Sequence, residues 1–456
     1  MSECDQALKE HAVRDATPAY QVNAPERAQG EVPPGYKQTE VGVVPKDWQI
    51  SNLGIICCFE NGDRGNNYPS RSSFALDGIP FINAGHIADG QICLDEMDYI
   101  TEENYERLGG GKTKPGDILF CLRGTLGKYG VIGTDFGKAA IASSLVIVRP
   151  RRDIIIREFL SSYFASEYCD RIIDKWAGGA AQPNLGAQDL KRFTIPLPSL
   201  EEQRAIATAL SDADALIESL DRLIAKKRAI KQASMQQLLT GEIRLPGFSG
   251  AWKARRIEEI AEVDPENLSE RTSPRYRFNY ISLEQVERGR LLGWTEEEFQ
   301  SAPSRARRLV RPGDILVSTV RPNLKAHLLF SGDLSAAVCS TGFAVVRCIG
   351  DWAVPEFIYP QFLSQVVDEQ VDKIIAGSNY PAISGRDVRR LQVWVPSLDE
   401  QKAIGATLGD MDEELNALKR RRDKARQLKQ GMMQELLTGR TRLVEPEAPA
   451  AEEAPA

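Results

Sequence analysis

The sequence predicts a mixed α/β fold in which two globular domains alternate with two long helices, and the helices pair as an antiparallel coiled coil. Three observations lead to this fold class. The second half of the chain repeats the first half, each copy ends in a heptad pattern, and each copy begins with short apolar segments separated by turn residues. Because a duplicated unit repeats its own contacts, we expect an internal pseudo-two-fold axis.

The repeat is strongest at the end of each copy. The sequence PSLEEQ at 198–203 returns as PSLDEQ at 396–401, and LLTG occurs at both 238–241 and 436–439. Across 198–245, 24 of 48 residues are identical to the residue 198 positions later. The preceding parts of the two copies have diverged, although the motif PGDIL is common to both.

This pattern divides the chain into six segments. We predict two globular domains, two helical segments and two tails, and the tails are expected to be disordered because they lack periodicity. The predicted boundaries are 34–197 and 246–395 for the domains, 198–245 and 396–443 for the helical segments, and 1–33 and 444–456 for the tails.

Apolar residues in the helical segments recur with alternating steps of four and three, which is the heptad pattern of a coiled coil. The chain crosses a whole globular domain between the two helices, so antiparallel pairing is expected. Gly241 and Gly439 are expected to end the helices. The pattern continues into cations, so we expect looser pairing in the later turns. The apolar positions are Ile206, Leu210, Ala213, Ile217, Leu220, Ile224, Ile404, Leu408, Met411, Leu415 and Leu418, and the cations are Lys227, Lys231, Arg422 and Lys429.

Short runs rich in Ile, Leu and Val predict strands in both globular domains, at 117–122, 145–148, 314–320 and 344–346. Helical spacing of apolar residues predicts one helix at 159–176 and another at 357–374. The first of these helices carries four aromatic residues, which we assign to the core rather than to stacking on nucleic-acid bases: Phe159, Tyr163, Phe164 and Trp176.

The chain has 57 Lys and Arg residues against 64 Asp and Glu residues, a net charge of −7. The tails account for this charge, since 1–33 contributes −3 and 444–456 contributes −4. The neutral body argues against a protein that wraps nucleic acid by bulk positive charge, though not against local basic surfaces. The sequence has no apolar run of 18 residues and no signal-like segment, so we expect a cytoplasmic protein.

Motifs for catalysis are missing from the sequence. The eight cysteines and three histidines are scattered, so we predict reduced thiols and no metal site. The sequence GKT at 111–113 resembles the end of a phosphate-binding loop, but Glu106 stands where that motif requires its first glycine. We find no motif for methyl transfer to an amine, no turn for an adenosyl cofactor and no nucleophile–base pair. By itself the chain is expected to catalyse no reaction.

The duplicated PSL(E/D)EQ…LLTG helices, together with PGDIL and the run GGAAQPN at 178–184, resemble the specificity subunit of type I restriction-modification systems. The resemblance covers 34–443. It implies two target-recognition domains that each read half of an interrupted DNA sequence, and helices that dock two modification subunits, which methylate adenine at N6. It also implies a motor-nuclease restriction subunit. No cofactor is implied for this chain, whereas S-adenosylmethionine belongs to the modification subunit, and ATP and Mg²⁺ to the restriction subunit.

Two other classes of function stay open. A coiled-coil scaffold that binds only proteins would have no affinity for DNA, even with its partners present. An enzyme of unrecognised pattern would show turnover as the purified chain with DNA and S-adenosylmethionine or Mg²⁺. The divergence of the two domains favours DNA recognition, because domains that read different sequences are expected to differ.

Contacts to DNA are expected in polar loops at strand ends. The loops that follow the two PGDIL motifs carry cations that are candidates for phosphate contact, and in the first loop glycines permit close approach of the backbone. An ordinary solvated turn is the alternative. The candidates in these two loops are Arg123, Thr125, Lys128, Arg321, Asn323 and Lys325.

A second group of candidates follows the predicted strands at 80–82 and 280–281. Amide side chains can pair with adenine and a carboxylate can accept from cytosine N4, so we assign base-edge roles to Asn83, His86, Ser282, Glu284 and Gln285. The family resemblance adds Gln182, Asn184, Asn379 and Tyr380. The weakest candidates are hydroxyls beside strands, which more often cap turns: Ser143, Ser144, Ser340 and Thr341.

Overall fold

The computed structural model describes residues 32–445 except for Asp89, Asp135, 178–183, Asp333 and 377–380. This part of the chain forms two compact units. The first contains the residues up to Glu218 together with those from Asp423 onward, and the second contains Ser219–Arg422. Residues 1–31 and 446–456, which make up most of the predicted tails, lie outside the described residues. The domain boundaries inferred from the repeat remain predictions.

The first unit contains a four-stranded antiparallel sheet and a three-stranded sheet. The order in the larger sheet is Tyr129–Val131, Ile118–Cys121, Leu145–Pro150 and Cys57–Asn61. In the smaller sheet, Ile79–Ile82 pairs in parallel with Ala140–Ile141 and antiparallel with Tyr99–Ile100. Three further antiparallel pairs are Tyr36–Thr39 with Gly42–Pro45, Gln49–Asn52 with Thr194–Leu197, and Ile87–Ala88 with Gln91–Ile92.

The second unit contains two four-stranded sheets. The first has the order Ala261–Val263, Phe343–Cys348, Ile315–Ser318 and Leu328–Leu329. The other has the order Thr295–Glu298, Arg277–Ile281, Ala337–Ser340 and Ala306–Leu309, with one parallel pair between its two central strands. Two further pairs are Lys253–Arg256 with Gln392–Val395 and Val286–Glu287 with Arg290–Leu291.

The two units repeat one strand arrangement. In each, the strand that begins inside PGDIL pairs with the long apolar strand that follows it, Leu145–Pro150 in one unit and Phe343–Cys348 in the other. Each also has one parallel strand pair in a second sheet. The predicted mixed α/β class and the internal repeat are therefore confirmed. The PGDIL strands are shorter than predicted, at Ile118–Cys121 and Ile315–Ser318.

The short helices occur at equivalent places in the two units, except for Glu102–Arg107, which has no counterpart among the described residues of the second unit. Those of the first unit are Leu53–Ile56, Glu102–Arg107, Arg157–Phe164, Glu167–Ala177 and Ala187–Leu190. Those of the second unit are Ile257–Ile260, Pro355–Gln361, Gln365–Ile375 and Gly385–Arg390. Several single 3₁₀ turns follow strands, among them Arg71–Ser73, Ala84–His86, Leu283–Gln285 and Pro322–Leu324.

The prediction of unbroken helices at 159–176 and 357–374 is wrong, because each is two helices. Serine causes both breaks: the Ser166 hydroxyl accepts from the Cys169 amide at 3.3 Å, and the Ser364 hydroxyl accepts from the Val367 amide at 3.4 Å. A side chain that bonds the backbone in this way starts a new helix. Three predicted core aromatics are buried, but the fourth, Trp176, is 42% exposed.

The long helices are Leu200–Thr240 and Leu398–Leu436, and within each unit they run antiparallel. In the second unit Lys227 contacts Glu414 at 2.6 Å and Lys231 contacts Asp412. Residue numbers therefore increase along one helix as they decrease along the other. The four cations expected to loosen the coil thus form ion pairs between the helices. The other two pairs are Arg422–Asp221 in the second unit and Lys429–Asp214 in the first.

The first long helix ends directly before Gly241, as predicted, whereas the second ends at Leu436, three residues before Gly439. Gly241 has a φ of +72° and Gly439 has a φ of +68°, a backbone region that glycine enters at the lowest cost. Each glycine also packs against a tryptophan at the start of a globular domain, Trp252 for Gly241 and Trp48 for Gly439.

The PSL(E/D)EQ motif attaches each long helix to a globular domain. The Gln203 side chain is fully buried; it accepts from the Ile156 amide and donates to the carbonyls of Ile154 and Pro198, all at 3.0 Å. The buried Glu202 carboxylate accepts from the Trp48 indole at 2.9 Å and pairs with Arg442. In the second unit, Gln401 and Glu400 form the corresponding contacts with 352–354 and Arg244.

Six cysteines in the described part of the chain are free thiols: Cys57, Cys58, Cys121, Cys169, Cys339 and Cys348.

Candidate nucleic-acid interface

The PGDIL strand is fixed in each unit by a buried carboxylate. In the first unit, Asp117 accepts from the Lys114 amide at 2.8 Å and from two nitrogens of Arg149 at 2.7 Å. In the second unit, Asp314 accepts from the Arg311 amide at 2.7 Å and from two nitrogens of Arg347 at 2.8 Å. These two-point contacts set the direction of the strand, and with it the position of the loop that follows.

Sequence reasoning missed these ion pairs as determinants of the site. The hydrogen bond to Asp117 raises the pKa of Arg149, and the hydrogen bond to Asp314 raises the pKa of Arg347, so both guanidinium groups stay charged. The recurrence of PGDIL in both copies was the available signal, because its aspartate is identical while the following loop differs.

The loop after the first PGDIL strand presents polar groups to solvent. Arg123 and Thr125 are exposed, and Lys128 is half-buried. The predicted close approach of the backbone is possible here, because Gly124 and Gly127 have φ values of +83° and +81° and no atom lies within 4 Å of a Cβ placed on Gly124. The loop can therefore offer a guanidinium, a hydroxyl and backbone amides to one ligand.

The corresponding loop of the second unit is built differently. Arg321 and Asn323 are exposed, and Pro322 between them is buried. Lys325 is not free: its ammonium donates to the Asp368 carboxylate at 2.6 Å and to the Leu363 carbonyl at 3.1 Å. The structure therefore brings Arg321 and Asn323 together at the surface and directs Lys325 to the protein.

Behind this loop lies His327, a neutral histidine. Burial, together with the smaller effect of the Lys325 charge, lowers the pKa of His327 to about 4. Its Nδ1 accepts from the Ser318 amide at 3.0 Å, which an unprotonated ring nitrogen can do. The imidazole therefore fixes the end of the PGDIL strand and carries no charge at neutral pH.

The candidates that follow strands 79–82 and 277–281 form two equivalent caps. Asn83 N–H donates to Nδ1 of His86 at 3.1 Å, and Ser282 N–H donates to Oε1 of Gln285 at 2.8 Å. The Asn83 side chain also accepts from Gly85 and donates to Asp98. Asn83, His86 and Gln285 thus have partners inside the protein, whereas the Glu284 side chain is exposed.

The hydroxyl candidates divide in the same way. Ser143 and Ser144 are half-buried, and their carbonyls accept from the Arg64 side chain and the Leu122 amide. Ser340 is buried and its hydroxyl accepts from the Gly342 amide at 3.2 Å, while Thr341 is exposed. Ser340 therefore has a turn role, and the other three lie near the surface.

Gln182, Asn379 and Tyr380 lie outside the described residues. The residues that flank them are placed beside the loops described above. Asn184 is exposed, and the next residue donates from its amide to the Leu122 carbonyl at 3.1 Å. In the second unit, the Arg321 amide donates to the Pro381 carbonyl at 2.8 Å. Each PGDIL loop is thus joined by main-chain hydrogen bonds to the segment that the family resemblance assigned to DNA.

The chemistry of these surfaces suits recognition. Guanidinium groups match phosphate and guanine, and amide side chains match adenine. Within the described ranges, no group of three or more His, Cys, Asp and Glu side chains is arranged to hold a metal ion. None of the helices in the same ranges has the length and apolarity needed to cross a lipid bilayer.

Known proteins match the chain along most of its length. Residues 45–226 match the family model described as the type I restriction modification DNA specificity domain. The type I restriction enzyme MjaVIII specificity subunit of Methanocaldococcus jannaschii is 22% identical over 88% of this chain and 94% of its own length. The EcoKI specificity subunit of Escherichia coli K12 is 21% identical over 80% of this chain and 82% of its own length.

Solved structures share the fold. A chain from a structural study of the assembly and conformational transition of a type I restriction-modification system superposes with a TM-score of 0.57 and 19% identity, over 87% of this chain and 99% of that chain. The type I S subunit of Mycoplasma genitalium gives a TM-score of 0.52 with 16% identity, over 85% and 96% of the two chains. Along most of its length the chain is therefore similar in sequence to the specificity subunits of type I restriction-modification systems, and it shares their fold.

Proposed function

We propose that the chain selects the DNA sequence on which a type I restriction-modification complex acts, with the domain at 34–197 reading one half of an interrupted target and the domain at 246–395 reading the other. One observation carries this proposal. The two units repeat the same buried aspartate–arginine pair beneath the same strand, yet the loops that follow read RGTLGK and RPNLK. A shared scaffold with different exposed loops suits two readers of different sequences.

The long helices supply the second part of the proposal. Their sequences are alike where the domains differ, and similar surfaces bind similar partners. We assign them to the docking of two adenine-N6 modification subunits, which carry S-adenosylmethionine, and of restriction subunits that use ATP and Mg²⁺. This chain itself supplies recognition and no catalysis. It acts in the cytoplasm, where it has access to DNA.

Exposure ranks the candidate contacts. We favour Arg123, Thr125, Asn184, Arg321 and Asn323, because each side chain is exposed in or beside a PGDIL loop. Asn83, His86, Gln285 and Ser340 are disfavoured, because bonds within the protein occupy them. The remaining candidates for contact with DNA are Lys128, Ser143, Ser144, Gln182, Ser282, Glu284, Thr341, Asn379 and Tyr380.

Methylation mapping tests the proposed function. Cells that express this chain with its modification subunit are compared with cells that express the modification subunit alone, and N6-methyladenine is located across the genome. We expect methylation at one two-part motif, and only when this chain is present. An identical methylation pattern in both strains would contradict DNA selection and favour a protein-binding scaffold.

Domain exchange tests whether the two halves are read independently. Replacing 246–395 with the corresponding domain of another specificity subunit should change one half of the methylated motif and leave the other half unaltered, because each unit has its own sheets and its own PGDIL loop. The reciprocal exchange of 34–197 is the matched control and should change the opposite half. A change in both halves after either exchange would contradict independent reading.

A further inference from the structure

The loop 321–325 of the second unit has an unusual backbone. Arg321 and Lys325 have φ values of +49° and +52°, so two residues with side chains adopt the left-handed conformation on either side of one 3₁₀ turn. Side chains disfavour this conformation, and it persists where surrounding contacts impose it. The corresponding loop of the first unit uses Gly124 and Gly127 in the left-handed region instead.

Main-chain hydrogen bonds, one to the Pro381 carbonyl and two within the loop, support this backbone. Within the loop, the Leu324 amide donates to the Arg321 carbonyl at 2.9 Å and the Lys325 amide donates to the Pro322 carbonyl at 3.0 Å. Beneath the loop lies a cavity of about 200 Å³, whose lining includes Pro322, Asn323 and His327. Of residues 321–325 only Pro322 is buried, so polar contacts are important for holding the rest of the loop.

Lys325 provides the strongest of these polar contacts. Its ammonium lies 2.6 Å from the Asp368 carboxylate, on the helix Gln365–Ile375, and 3.1 Å from the Leu363 carbonyl just before that helix. The side chains of Lys325 and Asp368 are each 35% exposed, so the pair is partly shielded from water. One cation therefore ties the end of the loop to two points of the protein.

The first unit places its loop against the same part of the equivalent helix. A Cβ added to Gly127 would lie 2.9 Å from Ile173 and 3.9 Å from the carboxylate of Asp170. Asp170 and Asp368 occupy the same position of the repeat. The loop-to-helix contact is thus kept in both units, by close glycine packing in one and by an ion pair in the other.

We propose that Lys325 is a positioning residue for the second recognition domain, which holds Arg321 and Asn323 in a fixed geometry toward DNA through its bond to Asp368, and that it makes no phosphate contact. The proposal rests on the proposed function, because the position of the loop matters for specificity only if the loop faces DNA. It departs from the expectation drawn from charge alone, in which Lys325 binds phosphate.

The test compares three variants of the full chain, each assembled with its modification subunits: Lys325→Met, Asp368→Asn and the charge-swapped pair Lys325→Asp with Asp368→Lys. Methylation is measured on duplexes that carry the mapped motif and on duplexes with one base pair changed in the second half. We expect each single variant to lower discrimination at that half about threefold to fivefold. The swapped pair should restore most of it, and discrimination in the first half should not change.

A direct phosphate contact would give a different pattern, and observing it would overturn the proposal. Lys325→Met would then make the negative slope of log affinity against log salt shallower by about 0.9, because one fewer counterion is released. Asp368→Asn would strengthen binding by removing a negative charge, and the swapped pair would bind worst. Arg321→Met is the control for this pattern, since Arg321 is the exposed cation of the same loop and residue 368 should not rescue it.

Hydrogen exchange separates this proposal from the proposed function. We expect both single variants to speed exchange at the Leu324 and Lys325 amides while the amides of the first unit keep their rates. If the wild-type complex methylates no two-part motif, the proposed function fails, yet the exchange rates still decide whether Lys325 fixes the loop. Unchanged exchange in both single variants would refute the positioning role.

Discussion

Gln203→Ala should lower the free energy of unfolding of the first unit by about 3 kcal/mol, because it leaves one buried and two half-buried backbone groups without their side-chain partner. Among the described residues, only the Gln203 side chain links the Ile156 amide and the Ile154 carbonyl to the start of the long helix by side-chain hydrogen bonds. Alanine cannot replace any of these bonds, and the site is too well buried for water to do so readily.

The duplication supplies a matched variant. Gln401→Ala removes the equivalent bonds to the Val354 amide and to two carbonyls, so it should destabilise the second unit by a similar amount. Gln232→Ala is the control on the same helix, since Gln232 is exposed and the change should stay within about 0.5 kcal/mol.

Hydrogen exchange of the two PGDIL strands distinguishes these outcomes. Gln203→Ala should speed exchange in Ile118–Cys121, and Gln401→Ala should speed exchange in Ile315–Ser318. If Gln203→Ala and Gln232→Ala gave the same exchange rates in Ile118–Cys121, the Gln203 side chain would have no role in attaching the helix. The recurrence of this glutamine in both copies would then need another explanation.

Gly439→Ala should destabilise the first unit by about 3 kcal/mol. The residue has a φ of +68°, which costs a side chain about 1–2 kcal/mol. In addition, the new Cβ would lie 2.5 Å from Cδ and 2.6 Å from Cγ of Pro45, so the backbone of one segment must shift. Thermal unfolding of the full chain and exchange in the first unit would measure the loss.

Substitutions at two other glycines separate the cost of the positive φ from the cost of steric contact. Gly247 has a φ of +92° with no atom within 4 Å of an added Cβ, so Gly247→Ala measures conformation alone and should cost about 1–2 kcal/mol. Gly241→Ala should fall between these values, because its Cβ would lie 3.2 Å from Trp252. A cost for Gly439→Ala equal to that for Gly247→Ala would show that contact with Pro45 contributes nothing.

The long helices were predictable because their signals are local and redundant. The heptad steps, the two terminal glycines and the near-identity of the copies all indicate the same elements. The strands at 118–121 and 315–318 were predictable for a similar reason, since an apolar run follows a Pro-Gly-Asp turn in both copies. The strand ends differ from the predicted ones by one or two residues, and the second long helix ends three residues before its predicted glycine.

The site was less predictable, because its residues are set by contacts distant in sequence. Apolar spacing continues across Ser166 and Ser364, so nothing in the periodicity shows that their hydroxyls start new helices. His86 and Gln285 perform the same capping bond with different chemistry, which no comparison of identities reveals. Charge alone made Lys325 a candidate for phosphate, whereas its partner Asp368 lies 43 residues away.

The order in which the two units can finish folding during synthesis follows from how they divide the chain. The second unit is one continuous stretch, Ser219–Arg422, so a ribosome delivers all of it before translation ends. The first unit cannot be completed at that time, because Met433, Leu436 and Leu437 belong to its core with Trp48 and Ile206. The domain made first therefore finishes folding last. Until the final turns of the second long helix emerge, core residues such as Trp48 lack part of their packing, and exposed apolar surface of this kind favours aggregation.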